Sequence, residues 1–221
     1  ARALRRTLQS DPEGFPNDVV EVMAFLDDPR PGQPVVATPG AGLRVPIWIL
    51  GSSTFGAQVA ALLGLPFAFA SHFAPAMLFD ATTIYRERFQ PSAQLAAPYV
   101  MLGVNVVAAD TDDEAQLLAS SGRESVAALR AGRPIQLPPP SQEWMREAGE
   151  AADPLRRTRV SFVGSAATVH TQLDEFVTRT GADEVIVASH IYDHGARLRS
   201  YEIAATWMAG GVPTTAPAAA G

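Results

Sequence analysis

Residues 45–73 read VPIWILGSSTFGAQVAALLGLPFAFASHF. The apolar run Val45 to Leu50, β-branched and aromatic at its centre, predicts a strand. It stops at Gly51-Ser52-Ser53, and Phe55, Val59, Leu62 and Leu63 then recur at helical spacing. Gly64 stands where a helix takes a left-handed C′ residue, and Pro66 to Ala70 is an apolar run too short for a second helix. The unit is strand, helix, strand. Near-continuous hydrophobicity predicts that both strands are buried on both faces, and a helical crossover of about a dozen residues is what parallel pairing requires. The chain is assigned to the α/β class, with helices covering a parallel sheet.

The turn between the first strand and its helix has two readings. The opening amides of a helix carry the positive end of its dipole, Gly51 lets a ligand approach the backbone, and the hydroxyls of Ser52 and Ser53 stand beside it, which together make a seat for a phosphate. Serine is also the commonest N-cap and serves there with no ligand at all. Spacing alone leaves both readings open.

Composition bounds the rest. The 221 residues, 47% of them hydrophobic, bury a full core as one domain or a domain with appendages. Lys and Arg number 17 against 23 Asp and Glu, and the net charge of -6 offers no electrostatic footprint for nucleic acid or an acidic membrane surface. With no cysteine, disulfides and thiolate chemistry are excluded, and a reducing cytoplasm is the expected location. No stretch reaches the length of a membrane span. The opening ARALRRTLQS has basic residues with no apolar segment behind them, so neither signal peptide nor anchor is expected. Ala3, Leu4 and Leu8 share one face there and predict a helix already in progress.

Outward from the central unit, Pro16 to Leu26 is predicted helical, and Asp27 to Gly42 is a Pro- and Gly-rich excursion in which Val35-Val36-Ala37 suits a short edge hairpin. After Phe73, Pro75 opens a helix carrying Leu78, Ala81, Tyr85 and Phe89. Ala97 to Ala108 is a buried strand with Gly103 as its bulge, and Thr111 with Glu114 forms a capping box for a helix from Asp112 whose middle Gly122 weakens. Residues 132–159 are Pro-rich and charged, a mobile excursion with at most one short helix near Trp144. Ser165 caps a helix from Ala166 to Thr180 that Gly181 stops, Glu184 to His190 is the fourth strong strand, and Asp193 caps a last helix to about Met208. The tail, 210–221, has no means of burying surface and is expected to be disordered.

Two strands share an ending, Ser71-His72 and Ser189-His190, each directly before a helix. Ser71, His72 and His190 are the candidate pocket residues. A histidine at a strand end more often just finds a backbone partner. His190, Asp193 and His194 form an H-x-x-D-H cluster, but Asp193 is better used as a cap and no third neutral ligand is evident, so no metal is assigned. His170 is expected to be solvated, and Trp48, Trp144 and Trp207 to be packing residues. There is no G-x-S-x-G elbow, no P-loop lysine and no G-x-G-x-x-G after a strand, which disfavours hydrolase, kinase and dinucleotide folds.

PIWILGSSTFGAQVAALLGLPFAFASHFAP, APYVMLGVNVVAADTDDEA, SFVGS and TGADEVIVASHIYDHGARLRSYEIAA together resemble the bacterial-luciferase-like flavin monooxygenases. The resemblance implies a (β/α)8 TIM-type barrel of which residues 1–209 supply about the C-terminal half, with roughly four strands upstream of Ala1. It implies reduced FMN, delivered by a separate flavin reductase, and molecular oxygen, one atom of which enters a small organic substrate. Gly51, Ser52 and Ser53 are then at the FMN phosphate. Ser71, His72 and His190 lie at the carboxyl rim where barrel active sites are built, and the excursion before the last strand can lie over the site. The family's A-E-H-H-type strand end and a basic partner for the phosphate belong to the missing first half. Two other readings stand beside this one. A deazaflavin fits the same turn, and a non-catalytic half-barrel would cover its exposed strand edges by homo-oligomerisation or by docking.

Overall fold

The computed structural model describes residues 14–148 and 160–209. The expectations for Ala1 to Leu8, for the tail 210–221 and for residues 149–159 of the excursion lie outside them. The chain divides into two compact units at Trp48 and Ile49.

Among its described residues the first unit holds one helix, α1 (Phe15–Leu26), with Pro16 in its first turn, where the missing N–H costs nothing. The loop after it folds back, as Gly42 and Arg44 donate backbone N–H to Asp27 and Leu26 carbonyls at 3.0 and 2.9 Å. The Arg44 guanidinium closes on the carboxylates of Asp27 and Asp28. The expected hairpin at Val35 is not formed: residues 33–37 belong to no ladder and both valines are exposed. Pro29, Pro31, Pro34 and Pro39 remove the donors that a ladder there would need.

The second unit runs in chain order β1 (Ile49–Gly51), α2 (Thr54–Leu63), β2 (Phe67–Phe69), α3 (Leu78–Arg88), β3 (Val100–Ala108), α4 (Asp112–Arg130), α5 (Gln142–Ala148), β4 (Ser161–Gly164), α6 (Ala166–Thr180), β5 (Glu184–Ala188) and α7 (His194–Ala209). Every ladder is parallel. β1 pairs with β2 and β2 with β3, while β5 takes the other edge of β3. β4, absent from the predicted strands, pairs with the second half of β3 from Asn105 to Ala108. His72 N–H bonds the Gly103 carbonyl at 2.9 Å and Asn105 N–H bonds the Val160 carbonyl at 3.1 Å. Residues two apart in a strand present their backbone groups to the same edge, so β4 occupies the stretch of edge that β2 leaves.

β1 is shorter than predicted. Pro46 has no N–H, and the ladder starts only where Ile49 N–H reaches the Pro66 carbonyl at 3.1 Å. Burial on both faces also fails for this edge strand, since Ile49 is buried and Leu50 is 71% exposed. The register places Ile49, Phe67, Val100 and, further along, Val106 and Phe162 on one face, and Leu50, Ala68, Met101, Gly103, Asn105 and Val107 on the other.

The first face is the core. Gly56 of α2 lies over Gly51 and the Phe67 ring, Tyr85 of α3 stacks on Phe67 at 5.4 Å, and Phe176 of α6 meets Phe162 edge-on at 5.4 Å. Fully burying each such ring is worth about 2–3 kcal/mol. Tyr85 also donates its hydroxyl to the Leu65 carbonyl and accepts from Tyr99 N–H; burial pushes its phenol up to about 12, so it stays neutral.

The local signals hold. Thr111 Oγ1 accepts from Glu114 N–H, Gly64 and Gly181 are left-handed at the ends of α2 and α6, and Asp193 Oδ1 accepts from Ala196 N–H at the start of α7. Ser165 differs, for its side chain makes no capping bond. Its N–H goes to Asp112 Oδ1 at 2.6 Å, which ties the start of α4 to the start of α6 and holds the Asp112 carboxyl below the usual range. His170 is not simply solvated. It is half-buried, with Nε2 3.2 Å from the Ile203 carbonyl and 3.3 Å from Thr206 Oγ1, and so ties α6 to α7.

Candidate functional site

Because every strand is parallel, all carboxyl ends open at one end of the second unit. A cavity of about 380 Å³ lies there, between β3, β4, the residues after β2 and β5, and one face of α4. The second face of the sheet gives it Asn105, Val107, Ser161 and Val163.

His72 and His190 both line it. β2 ends in a turn pinned to one atom: the Gly103 carbonyl accepts both Ser71 Oγ–H and His72 N–H. Ser71 is fully buried by this and does not line the cavity. Its role is to seat His72. The His72 ring packs against the strand where Gly103 has no side chain; a Cβ there would stand 2.5 Å from its Nδ1 and 2.8 Å from its Cε1. Gly103 is therefore no bulge, because the β5 register runs through it unbroken.

His190 Nδ1 is 2.9 Å from Asn105 Oδ1, and Asn105 Nδ2 is 3.0 Å from Ser161 Oγ. With the amide nitrogen donating to Ser161, the amide oxygen accepts from Nδ1–H, and Nε2 becomes the basic nitrogen of the ring. Gly122 of α4 lets the helix approach, since a Cβ there would be 3.3 Å from His190 Cβ. Desolvation, and then the neighbouring His72, hold the His190 imidazole below its ordinary 6.5.

That shift carries a pH prediction. The fold favours the neutral ring, so unfolding takes up a proton between the lowered value and 6.5; the stability linked to it is complete above 6.5 and declines on acidification. Urea unfolding at about pH 7.5 and about pH 5.5 should show a smaller acid loss for His190→Gln than for the parent. Equal losses would mean that His190 does not sit in this environment.

Gly51, Ser52 and Ser53 occupy the same end of the sheet but two strands away, about 10 Å, and do not line the cavity. Ser53 is the N-cap of α2, with φ −145 and ψ 172, yet its side chain makes no capping bond. In the H-x-x-D-H stretch Asp193 is spent as a cap, and His194 Nδ1 faces Arg197 at 2.8 Å.

Sequence reasoning missed Asn105, Ser161, Arg123 and Arg130. Asn105 carried a signal, as the one polar side chain in the run Val100 to Ala108. The other three carried none, for only the packing of α4 and β4 brings them to the cavity. No described helix is long and apolar enough to cross a membrane.

The family model of luciferase-like monooxygenases matches residues 1–184. The luciferase-like monooxygenase of Escherichia coli (strain K12) is 44% identical over 204 residues, which cover 91% of this chain and 61% of that protein. The crystal structure of apo-MsnO8 superposes with a TM-score of 0.80 at 31% identity, over 96% of this chain and 65% of that one. A coenzyme F420 dependent tetrahydromethanopterin reductase from Methanopyrus kandleri shares the fold alone, at a TM-score of 0.51 and 17% identity. The chain thus spans about three fifths of the length of the relatives it matches. Its parallel sheet and covering helices are part of a TIM-type barrel, and the chain belongs to the luciferase-like monooxygenase family.

Proposed function

We propose that this chain forms the cofactor and substrate side of a flavin-dependent monooxygenase that acts on a small organic substrate with reduced FMN and oxygen, the reduced flavin coming from a separate reductase. The observation that carries the reading is the convergence of His72 and His190, from two strand ends, on one cavity at the carboxyl end of the sheet, with the serine turn at the same end. Residues present fit the cofactor's phosphate. Ser53 begins a helix without spending its hydroxyl on the cap, and Ser52 stands beside it, while Gly51 lets Gly56 of α2 pack closely on β1 and so sets the turn. When bound, the flavin supplies the oxygen chemistry. The protein's own groups orient and exclude water. Asn105 and Ser161 fix the tautomer of His190, Ser71 and Gly103 fix the ring of His72, and Val107, Val126 and Val163 keep the cavity wall apolar.

FMN titration tests this. In the complete barrel, Ser52→Ala or Ser53→Ala is expected to weaken FMN binding by about 1–2 kcal/mol per hydrogen bond lost to a charged oxygen, with circular dichroism unchanged. A serine used only as a cap forecasts the reverse, about 1 kcal/mol of folding stability lost and flavin affinity untouched. Titrating coenzyme F420 in parallel decides the deazaflavin reading, since the shared fold does not separate the two cofactors.

A further inference from the structure

One nitrogen in the cavity is set as an acceptor by groups two hydrogen bonds away. Ser161 Oγ accepts from Asn105 Nδ2 at 3.0 Å, which turns the amide oxygen to His190 Nδ1 at 2.9 Å and leaves the ring proton on Nδ1. Nε2 is then a bare lone pair with no protein partner among the described residues, on a ring that lines the cavity. Desolvation, and then the neighbouring His72, hold the imidazole below 6.5, so the ring is neutral at neutral pH. In this tautomer a neutral imidazole can accept a hydrogen bond at Nε2 and cannot donate one. The side chains placed to cover an apolar body are Val107 of β3, Val126 of α4, Val163 of β4 and Phe73, whose ring is 78% exposed and lines the same cavity.

We propose that the cavity takes a neutral phenol, its hydroxyl donating to His190 Nε2 and its ring lying against Phe73 and the valines, with Asn105 and Ser161 as positioning residues that keep Nε2 an acceptor. A phenolic hydroxyl is a stronger donor than an aliphatic one, and it keeps its proton until about pH 10, so the proton stays on the ligand and binding needs no ion pair. A flat ring also meets the face or edge of Phe73 more closely than a puckered one. The tautomer is what discriminates. An acceptor tells a hydroxyl from its methyl ether, because the ether leaves Nε2 unpaired, whereas a ring with its proton on Nε2 would donate to either oxygen. Calling the phenol a substrate rests on the monooxygenase reading; the hydrogen bond does not.

The probes are 4-propylphenol, its isomer 4-ethylanisole and 4-propylcyclohexanol, titrated calorimetrically into the chain without flavin at about pH 7.5, with nitrogen spectra of isotope-labelled histidines recorded in parallel. In the free chain His190 is expected to show Nδ1 protonated and Nε2 bare. The phenol is expected to bind about fivefold or more tightly than either other probe and to move the His190 Nε2 signal while leaving His170 unmoved. His190→Phe, which removes the acceptor, and Asn105→Leu, which frees the tautomer, are each expected to lower phenol affinity about fivefold and to leave the ether's unchanged. Ser161→Ala, which disturbs the strands least, is expected to raise the fraction of His190 protonated on Nε2. A protonated Nε2 in the free chain, equal affinity for phenol and ether, a cyclohexanol that binds as tightly as the phenol, no saturable phenol binding, or tautomer signals indifferent to Asn105 and Ser161 would overturn the proposal. Failure of FMN to bind at the serine turn leaves these outcomes as they are, so the two readings fail separately.

Discussion

Replacing Gly64 by alanine is expected to cost about 3 kcal/mol of folding stability, and replacing Gly181 only about 1 kcal/mol. Both glycines end a helix in the left-handed conformation, at φ +63 and +60, and so carry the same backbone penalty for a Cβ. Their neighbours differ. At Gly64 the Cβ would meet the Gln90 carbonyl oxygen at 2.4 Å and Ser92 Cβ at 2.6 Å, and neither can yield cheaply, because Gln90 N–H is bonded to the Ala61 carbonyl and Ser92 Oγ to the Gly64 carbonyl. At Gly181 the nearest atom is Nη2 of Arg86 at 3.5 Å, ordinary contact with the end of a long side chain. Urea unfolding of the two variants checks this. Equal losses would show that the segment after α3 gives way around Gly64, and that α2 is not clamped against it.

The clamp bears on the proposed phosphate seat, because α2 and the turn before it hold Gly51 to Ser53. β1 has only three residues to fix that turn. Much of its position comes from Gly56 packed on Gly51 and from the closed C-terminus at Gly64. A helix loosened at its end would transmit that freedom to the serines.

What the sequence made legible was local or periodic. Thr111 with Glu114, Asp193, Gly64 and Gly181 announce helix ends because cap and turn chemistry lies within a few residues. The parallel sheet followed from long apolar runs separated by helix-length segments. β4 was lost because four residues of mixed character carry no periodicity, and they become a strand only against the edge of β3 that β2 vacates. Likewise Asn105 and His190 are 85 residues apart, so their pairing exists only in the fold. Gly103 was misread because a glycine in a strand signals either a bulge or a close approach, and the approaching group, His72, comes from another strand. Leu50 and Ile186, 71% and 57% exposed, show the converse. Their hydrophobicity predicted a covered face, and the described residues do not bury them.

Gly103→Ala is expected to turn His72 out of the cavity while costing the fold only about 1 kcal/mol. The added Cβ would stand 2.5 Å from Nδ1, a distance no structure sustains, but the obstructed group is a ring at the end of two rotatable bonds. It can swing aside. The backbone clamp need not follow, since Ser71 Oγ–H and His72 N–H both go to the Gly103 carbonyl, which alanine keeps. β3 therefore stays in register between β2 and β5, and the change falls on one imidazole. In labelled-histidine spectra the His72 ring signals should move strongly and those of His170, tied between α6 and α7, should not. His190 should shift less, through the moved position of its neighbour His72. In the complete enzyme, if His72 faces the reacting groups, product formed per flavin oxidised should fall about tenfold, equivalent to about 1.4 kcal/mol of lost orientation. An unmoved His72 signal would mean that the ring is not seated on Gly103. A displaced ring with coupling intact would mean that His72 shapes the cavity wall without taking part in the chemistry.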